Sequence, residues 1–166
     1  MRTLSFLALL TFSFGVLGCG NIQGNQPDKK PNINEKTTSA DGDIQPEYLT
    51  YDTFREKVWD FEATPQEWVY KGEVPCVIDF YADWCKPCKL VEPIMEELSE
   101  EYDGKVKIYK IDTDKEKKLA GVFGIRSIPS IMFVPMNGDP SMQAGALPKS
   151  EYVRIINEIV LNKKSN

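Results

Sequence analysis

The chain has 166 residues, of which 42% are hydrophobic and 27% are charged, and its formal net charge at pH 7 is −5. This size and composition are typical of one globular domain with additional tails. The sequence contains no basic tract and no interleaving of basic with aromatic residues. We therefore expect no nucleic-acid partner.

The first residues have the pattern of an export signal. Arg2 precedes an apolar run of about 14 residues, which is short for a membrane-spanning helix. The run ends in Val16–Cys19, which resembles the bacterial lipobox, a motif whose cysteine is diacylated and becomes the mature N-terminus. We expect residues 1–18 to be a lipoprotein signal peptide and Cys19 to be the lipidation site. The alternative is an ordinary cleaved signal with an incidental cysteine.

A lipidated, exported chain would lie outside the cytoplasm, in the periplasm, anchored to a bacterial membrane. Residues 19–46 are rich in Asn, Gln, Gly, Pro and Lys and hold too few large apolar residues to form a core. We interpret them as a flexible tether with a reach on the order of 30 Å. The globular domain then occupies residues 47–166.

The domain begins with a predicted strand and helix. Residues 48–51 favour a short strand, and Thr53 and Glu56 have the spacing of a helix capping box. In the following stretch, 62–74, we expect Trp68 and Tyr70 to cover the core or a sheet edge rather than to bind a partner.

The next strand carries a cysteine and an aspartate. We expect Cys76 to be a small buried hydrophobe with an inert thiol. Strand alternation places Cys76 and Asp79 on opposite faces, with Val77 on the face of the carboxylate. A carboxylate in an apolar strand is costly unless it has a partner or a chemical role. A structural pairing of Asp79 with the backbone is the alternative to that role.

The central motif is Cys85–Cys88, a Cys-x-x-Cys pair between the apolar strand Val77–Phe80 and an amphipathic helix. This position puts Cys85 near a helix N-terminus, where unpaired N–H groups and the helix dipole favour a thiolate. A zinc site is the alternative, but a structural zinc needs four ligands. The sequence has no histidine, and its other cysteines, Cys19 and Cys76, are isolated. We therefore predict a redox pair, with no metal and no bound cofactor.

Alternation and periodicity predict the remaining elements. They are a strand at 106–112, a short helix at 115–123, strands at 130–134 and 142–146 joined by a hairpin at Asn137 and Gly138, and a closing helix with an apolar stripe from Tyr152 to Val160. Pro140 indicates that the last strand is an edge strand.

The Cys-x-x-Cys segment resembles the active-site segment of thioredoxin at four further positions: Asp79, Trp84, Pro87 and Pro93. Ile128 and Pro129 resemble the family's segment that ends in a cis-proline, and Pro129 follows Cys85 by 44 residues, the spacing of that family. Gly145 resembles the glycine in the last strand of the family's fold. The resemblance covers residues 74–161.

The resemblance implies an α/β thioredoxin fold, with a central mixed β-sheet and helices on both faces. It implies a protein-disulfide reductase in which Cys85 attacks the substrate, Cys88 resolves the mixed disulfide and Asp79 accepts a proton. Lys110, rather than Lys107, takes the place of the lysine beside that aspartate; a solvated surface lysine is the alternative. The substrate-binding positions are Trp84, Pro87, Ile128, Pro129 and Gly145. A trans Pro129 that only opens the next strand is the alternative to the cis form.

We expect a monomer that acts on disulfide-containing proteins. Because the sequence has no nucleotide-binding motif, its electrons would come from a membrane donor. The dipeptide between the cysteines is Lys-Pro rather than the Gly-Pro typical of thioredoxin, which should raise the reduction potential. The direction of the reaction is therefore open, and disulfide oxidation or isomerisation is an alternative. Reduction in cytochrome c maturation and a non-catalytic binding adaptor are further alternatives.

Overall fold

A computed structural model describes residues 44–163. Its elements are β1 (Glu47–Tyr48), α1 (Tyr51–Lys57), β2 (Cys76–Tyr81), α2 (Cys88–Glu101), β3 (Lys107–Asp112), α3 (Lys117–Val122), β4 (Ser130–Val134), β5 (Ser141–Ala144) and α4 (Lys149–Ile155), which continues as a π-helical segment (Ile156–Val160). The predicted signal peptide, Cys19 and nearly all of the tether lie outside the described residues. Within 44–163, no helix is long and apolar enough to cross a membrane.

The five strands form one mixed sheet in the order β1-β3-β2-β4-β5. β3 pairs in parallel with both β1 and β2, whereas β4 pairs antiparallel with β2 and β5. β2 is therefore central, and its six residues are all buried. The predicted fold class and the edge position of β5 are confirmed.

Each face of the sheet is covered by a separate apolar cluster. Helices α2 and α4 and the π-helical segment pack on one face through Val91, Met95, Leu98, Tyr152, Ile156 and Val160. Helices α1 and α3 pack on the other through Phe54, Val58 and Leu119. β2 separates these clusters, because Val77 belongs to the first and Cys76 and Ile78 belong to the second. Strand alternation thus sends Cys76 and Asp79 to opposite faces, as predicted.

The first helix begins earlier than predicted. Thr50, not Thr53, is the N-cap: its hydroxyl accepts the Thr53 backbone N–H at 3.3 Å, and the Thr53 hydroxyl accepts the Thr50 N–H at 2.8 Å. The strand before it is correspondingly shorter and ends at Tyr48. The N–H of Leu49 still bonds to the carbonyl of Lys110 at 2.9 Å, and the chain enters the helix directly after this bond.

The stretch between α1 and β2 lies against the α1 and α3 face. Trp68 and Tyr70 are partly buried against that cluster, and the Trp68 ring lies 4.9 Å from that of Trp59. The indole N–H of Trp59 donates to the carbonyl of Glu67 at 2.9 Å. The prediction that these aromatic residues cover the core is confirmed.

Candidate active site

Strand β2 ends at Tyr81, with three residues between it and the first cysteine, and α2 begins at the second cysteine, Cys88. Cys85 and Cys88 form a disulfide with a Cα–Cα distance of 5.3 Å. The backbone N–H of Cys88 donates to Sγ of Cys85 at 3.2 Å. This N–H belongs to the first turn of α2, which has no intrahelical partner for it, so α2 supplies a hydrogen bond that would stabilise a Cys85 thiolate.

The two cysteines are about equally buried. Cys85 is 2% exposed and Cys88 is 3% exposed, whereas Lys86 and Pro87 between them are exposed. Exposure therefore does not separate an attacking from a resolving sulfur. The hydrogen bond from Cys88 to Cys85 does, because it favours the anionic form of one sulfur only.

The segment before β4 lies against the disulfide. Sγ of Cys85 lies 3.6 Å from the carbonyl oxygen of Ile128, and the peptide bond between Ile128 and Pro129 is cis, as predicted. The carbonyl of Pro129 accepts the N–H of Gly145 at 2.8 Å. Gly145 has a φ of 87°, a conformation that a side chain disfavours. The structure thus brings Cys85, Ile128, Pro129 and Gly145 together.

A groove of about 580 Å³ opens beside the disulfide. It is lined by Trp84, Thr113, Lys117, Ala120, Gly121, Ile125, Arg126, Ser127 and Ile128. Trp84 is 69% exposed, and its indole N–H donates to Oδ2 of Asp114 at 2.7 Å, which orients the ring along the groove wall. An exposed, oriented indole beside a reactive sulfur is suited to contact a protein substrate.

Asp79 lies in the middle of β2 and is 1% exposed. Its two carboxylate oxygens accept no hydrogen bond from any residue in 44–163. Burial raises the pKa of Asp79 to about 7, although the Lys110 charge opposes this shift. A carboxyl group with this pKa can accept and return a proton at neutral pH.

Lys110 is the register partner of Asp79 on β3. Its side chain is 3% exposed, and its ammonium donates to Oε1 of Glu92 at 2.7 Å. Burial alone would lower the pKa of Lys110, but the hydrogen bond to Glu92 and the nearby negative charges raise it on balance. The sequence choice of Lys110 over Lys107 as the buried lysine agrees with this geometry, because Lys107 starts the strand at an exposed position.

Cys76 lies on the other side of the sheet from Asp79. It is fully buried and has a free thiol, and burial raises the pKa of that thiol to about 12. This is the environment that we predicted for an inert cysteine. Among residues 44–163, no group of three or more His, Cys, Asp or Glu side chains is arranged to hold a metal ion.

Sequence reasoning missed three residues at this site: Asp114, Glu92 and Tyr48. Asp114 orients Trp84, and Glu92 and Tyr48 contact Lys110. Only Glu92 had a usable signal, because it follows Cys88 by four positions and so lies on the same helix face. The other two residues reach the site only through tertiary contacts.

A strand, a reactive dithiol at a helix start and a cis-proline beside it define a dithiol–disulfide oxidoreductase. The thioredoxin family model matches residues 55–158. A thioredoxin of Borreliella burgdorferi is 41% identical over 110 residues, which are 66% of this chain and 93% of that protein. A thioredoxin of Haemophilus influenzae is 38% identical over 99 residues, which are 60% of this chain and 89% of that protein.

A solved structure is also similar. The crystal structure of a chloroplastic thioredoxin z has a TM-score of 0.57 and 26% identity to this chain, and the match covers 70% of this chain and 95% of that one. The chain belongs to the thioredoxin family, and its Cys85–Cys88 pair supports thioredoxin-type protein-disulfide reductase activity.

Proposed function

We propose that this protein is a membrane-tethered thioredoxin that reduces disulfides of exported proteins outside the cytoplasm. The observation that carries the chemistry is the Cys88 N–H bonded to Sγ of Cys85, beside the exposed Trp84 and the carbonyl of Ile128. The lipobox-like Val16–Cys19 and the polar tether support the location. The anchored, periplasmic position lets disulfides of substrates persist until they meet the enzyme.

The reaction is a two-electron exchange in two steps. The Cys85 thiolate attacks one sulfur of the substrate disulfide, which forms a mixed disulfide and releases the other substrate sulfur as a thiolate. Sγ of Cys88 then gives its proton to Asp79 and attacks Cys85, which releases the second substrate sulfur. The substrate gains two electrons, and the enzyme is left with the Cys85–Cys88 disulfide.

Substrate binding uses the groove beside Trp84. The Ile128 backbone at the cis-proline is available to pair with an extended segment of the substrate, a form of strand addition. Pro129 and Gly145 hold this segment in place through the hydrogen bond between them. Pro87 is exposed between the cysteines, so a docked segment can contact it.

The chain needs a source of two electrons per turnover. A membrane donor of thiol type, acting on the Cys85–Cys88 disulfide by the same exchange, would supply them. Because one domain holds the complete site, we expect the protein to act as a monomer.

The reduction potential of the Cys85–Cys88 pair tests the direction of the reaction. The full chain is equilibrated in glutathione buffers and followed by Trp84 fluorescence. A potential near roughly −270 mV supports a reductase, whereas one of about −120 to −180 mV marks an oxidase or isomerase. The Lys-Pro dipeptide is the feature that favours the second outcome.

Two variants test the remaining parts of the proposal. Cys88→Ser should trap mixed disulfides with exported proteins through Cys85, and the trapped species should disappear in Cys85→Ser. If binding of partners survives the loss of both thiols, the protein is an adaptor. Cys19→Ala should abolish incorporation of labelled fatty acid and release the protein from the membrane fraction. A wild-type chain that incorporates no fatty acid contradicts the lipid anchor.

A further inference from the structure

The ammonium of Lys110 is enclosed by side chains from three elements. Its Nζ lies 2.7 Å from Oε1 of Glu92 on α2, 4.8 Å from the ring centroid of Tyr81 on β2 and 5.4 Å from that of Tyr48 on β1. A cation above aromatic rings at these distances is attracted by their electron density. The position of this ammonium is therefore fixed by its contacts with these three side chains.

Asp79 is next to this cation but does not bond to it. Asp79 and Lys110 are register partners on adjacent parallel strands, so their side chains lie on one face of the sheet. The hydrogen bond of Lys110 nevertheless goes to Glu92, while Asp79 accepts none from the described part of the chain. The Lys110 ammonium thus pairs with Glu92 rather than with Asp79.

Glu92 is connected to the redox pair through α2. It follows Cys88 by one helical turn, so both side chains lie on the helix face that covers the sheet. Glu92 is 32% exposed, and its other oxygen lies 3.5 Å from Nζ of Lys89. It therefore stands at the border between the buried Asp79 site and solvent.

We propose that Glu92 is a positioning residue, which holds the Lys110 ammonium away from Asp79 and keeps the Asp79 carboxyl free to exchange a proton with Cys88. This inference rests on the dithiol exchange of the proposed function, but not on its direction or its cellular location. Glu92 does not line the groove beside Trp84, and its hydrogen bond goes to Lys110, so it influences Asp79 through Lys110 and through its own charge.

The charges around Asp79 give the sign of the effect. The titratable groups that act on Asp79 come from three packed elements: Lys110 on β3, Glu92 on α2 and Tyr152 on α4. On β4, the register partner of Asp79 is the apolar Ile131. Burial raises the pKa of Asp79, the Lys110 charge lowers it and the Glu92 charge raises it. Removing the Glu92 charge also weakens the ion pair that holds Lys110 away from Asp79. Both consequences lower the pKa of Asp79.

The test is a carbon NMR titration of the Asp79 carboxyl in the oxidised full chain. Glu92→Gln keeps the side-chain volume and an acceptor for Lys110 but removes the charge. We expect its titration midpoint to lie about one pH unit below that of the wild type. Glu92→Ala, which also frees Lys110, should lower the midpoint at least as far. Lys110→Met should raise it and, when combined with Glu92→Gln, should reduce the effect of Glu92→Gln to the part that comes from the Glu92 charge alone.

The matched control is Glu96→Gln, one turn further along α2. Within residues 44–163, Glu96 has no side-chain hydrogen bond or ion pair. The substitution Glu96→Gln therefore removes the same charge without disturbing Lys110. Its midpoint should equal that of the wild type. An unchanged midpoint in both Glu92 variants, or an equal shift in Glu96→Gln, overturns the proposal. Because the titration reads the proton on Asp79 directly, its outcome is independent of whether the chain reduces disulfides.

Discussion

The two faces of strand β2 show what burial does to different acids. Cys76 on one face and Asp79 on the other are both almost fully buried, and desolvation is the main cause of the pKa shift in each. The thiol starts from 9.0 and is moved to about 12, away from neutral pH. The carboxyl starts from 3.8 and is moved to about 7. The same physical effect therefore makes the thiol inert and makes the carboxyl a proton carrier.

The cysteines offer the largest test of this difference. Cys85→Ser should reduce the rate of protein-disulfide reduction to that of the uncatalysed exchange, because a hydroxyl at neutral pH does not replace the thiolate nucleophile. Cys76→Ala removes the thiol on the opposite face and should leave the rate constant of reduction within about twofold of wild type. The measurement is the reduction of a disulfide-bonded protein by each reduced variant.

A large loss of exchange rate in Cys76→Ala would show that the two faces are not chemically separate. The free energy of unfolding of that variant should be followed in parallel. A decrease of about 1 kcal/mol is expected there, since a small buried side chain is truncated.

Phe80 tests how the sheet face covered by α1 and α3 contributes to the stability of the fold rather than to its chemistry. It is fully buried, and its ring lies 5.7 Å from that of Phe123. Phe80→Ala should lower the free energy of unfolding by about 4 kcal/mol, because it leaves a cavity in the α1 and α3 cluster. Urea unfolding at pH 5 and at pH 8 should give the same loss. A loss that differed between the two pH values would mean that this face also contains a titrating group.

Asp79→Asn should show the opposite behaviour, a stability difference that depends on pH. The folded chain holds the Asp79 proton up to about pH 7, whereas the unfolded chain loses it near 3.8. In that window the folded state binds more protons, so the wild type loses stability as pH rises. Between pH 5 and pH 8 the variant should gain about 3 kcal/mol relative to the wild type.

Urea unfolding of the oxidised chains at several pH values measures this gain. Phe80→Ala is the control, since its difference from wild type should stay level over the same range. A flat difference for Asp79→Asn would mean that Asp79 titrates in the folded chain near its ordinary pKa.

Much of this site could be predicted because its signals are local in the sequence. The pair Cys85 and Cys88, the strand before it and the helix after it are contiguous, and Asp79 is conspicuous as the one charged residue of an apolar strand. The strand Ser130–Val134 was predicted with the bounds that the structure has, since Pro129 precedes it and its five residues are buried.

The parts that were wrong or missed depend on contacts across the fold. Thr50 and Thr53 both offer a hydroxyl at the start of α1, and the sequence alone does not show that the bond from Leu49 to Lys110 comes directly before a helix capped by Thr50. The ion pair of Glu92 with Lys110 joins residues 18 positions apart. Its existence depends on how α2 is rotated over the sheet, which helical periodicity alone does not fix.

Thr50 gives the smallest and most selective prediction. Thr50→Ala removes the hydroxyl that accepts the Thr53 N–H, so the free energy of unfolding should fall by about 1 kcal/mol. Thr50→Ser keeps that acceptor and should stay within about 0.3 kcal/mol of wild type. Because α1 packs on the face opposite to Asp79, neither variant should move the reduction potential of the Cys85–Cys88 pair. If Thr50→Ala changed the reduction potential of the Cys85–Cys88 pair, the sheet would transmit strain from one face to the other. That result would contradict the separation of the packing face from the chemical face.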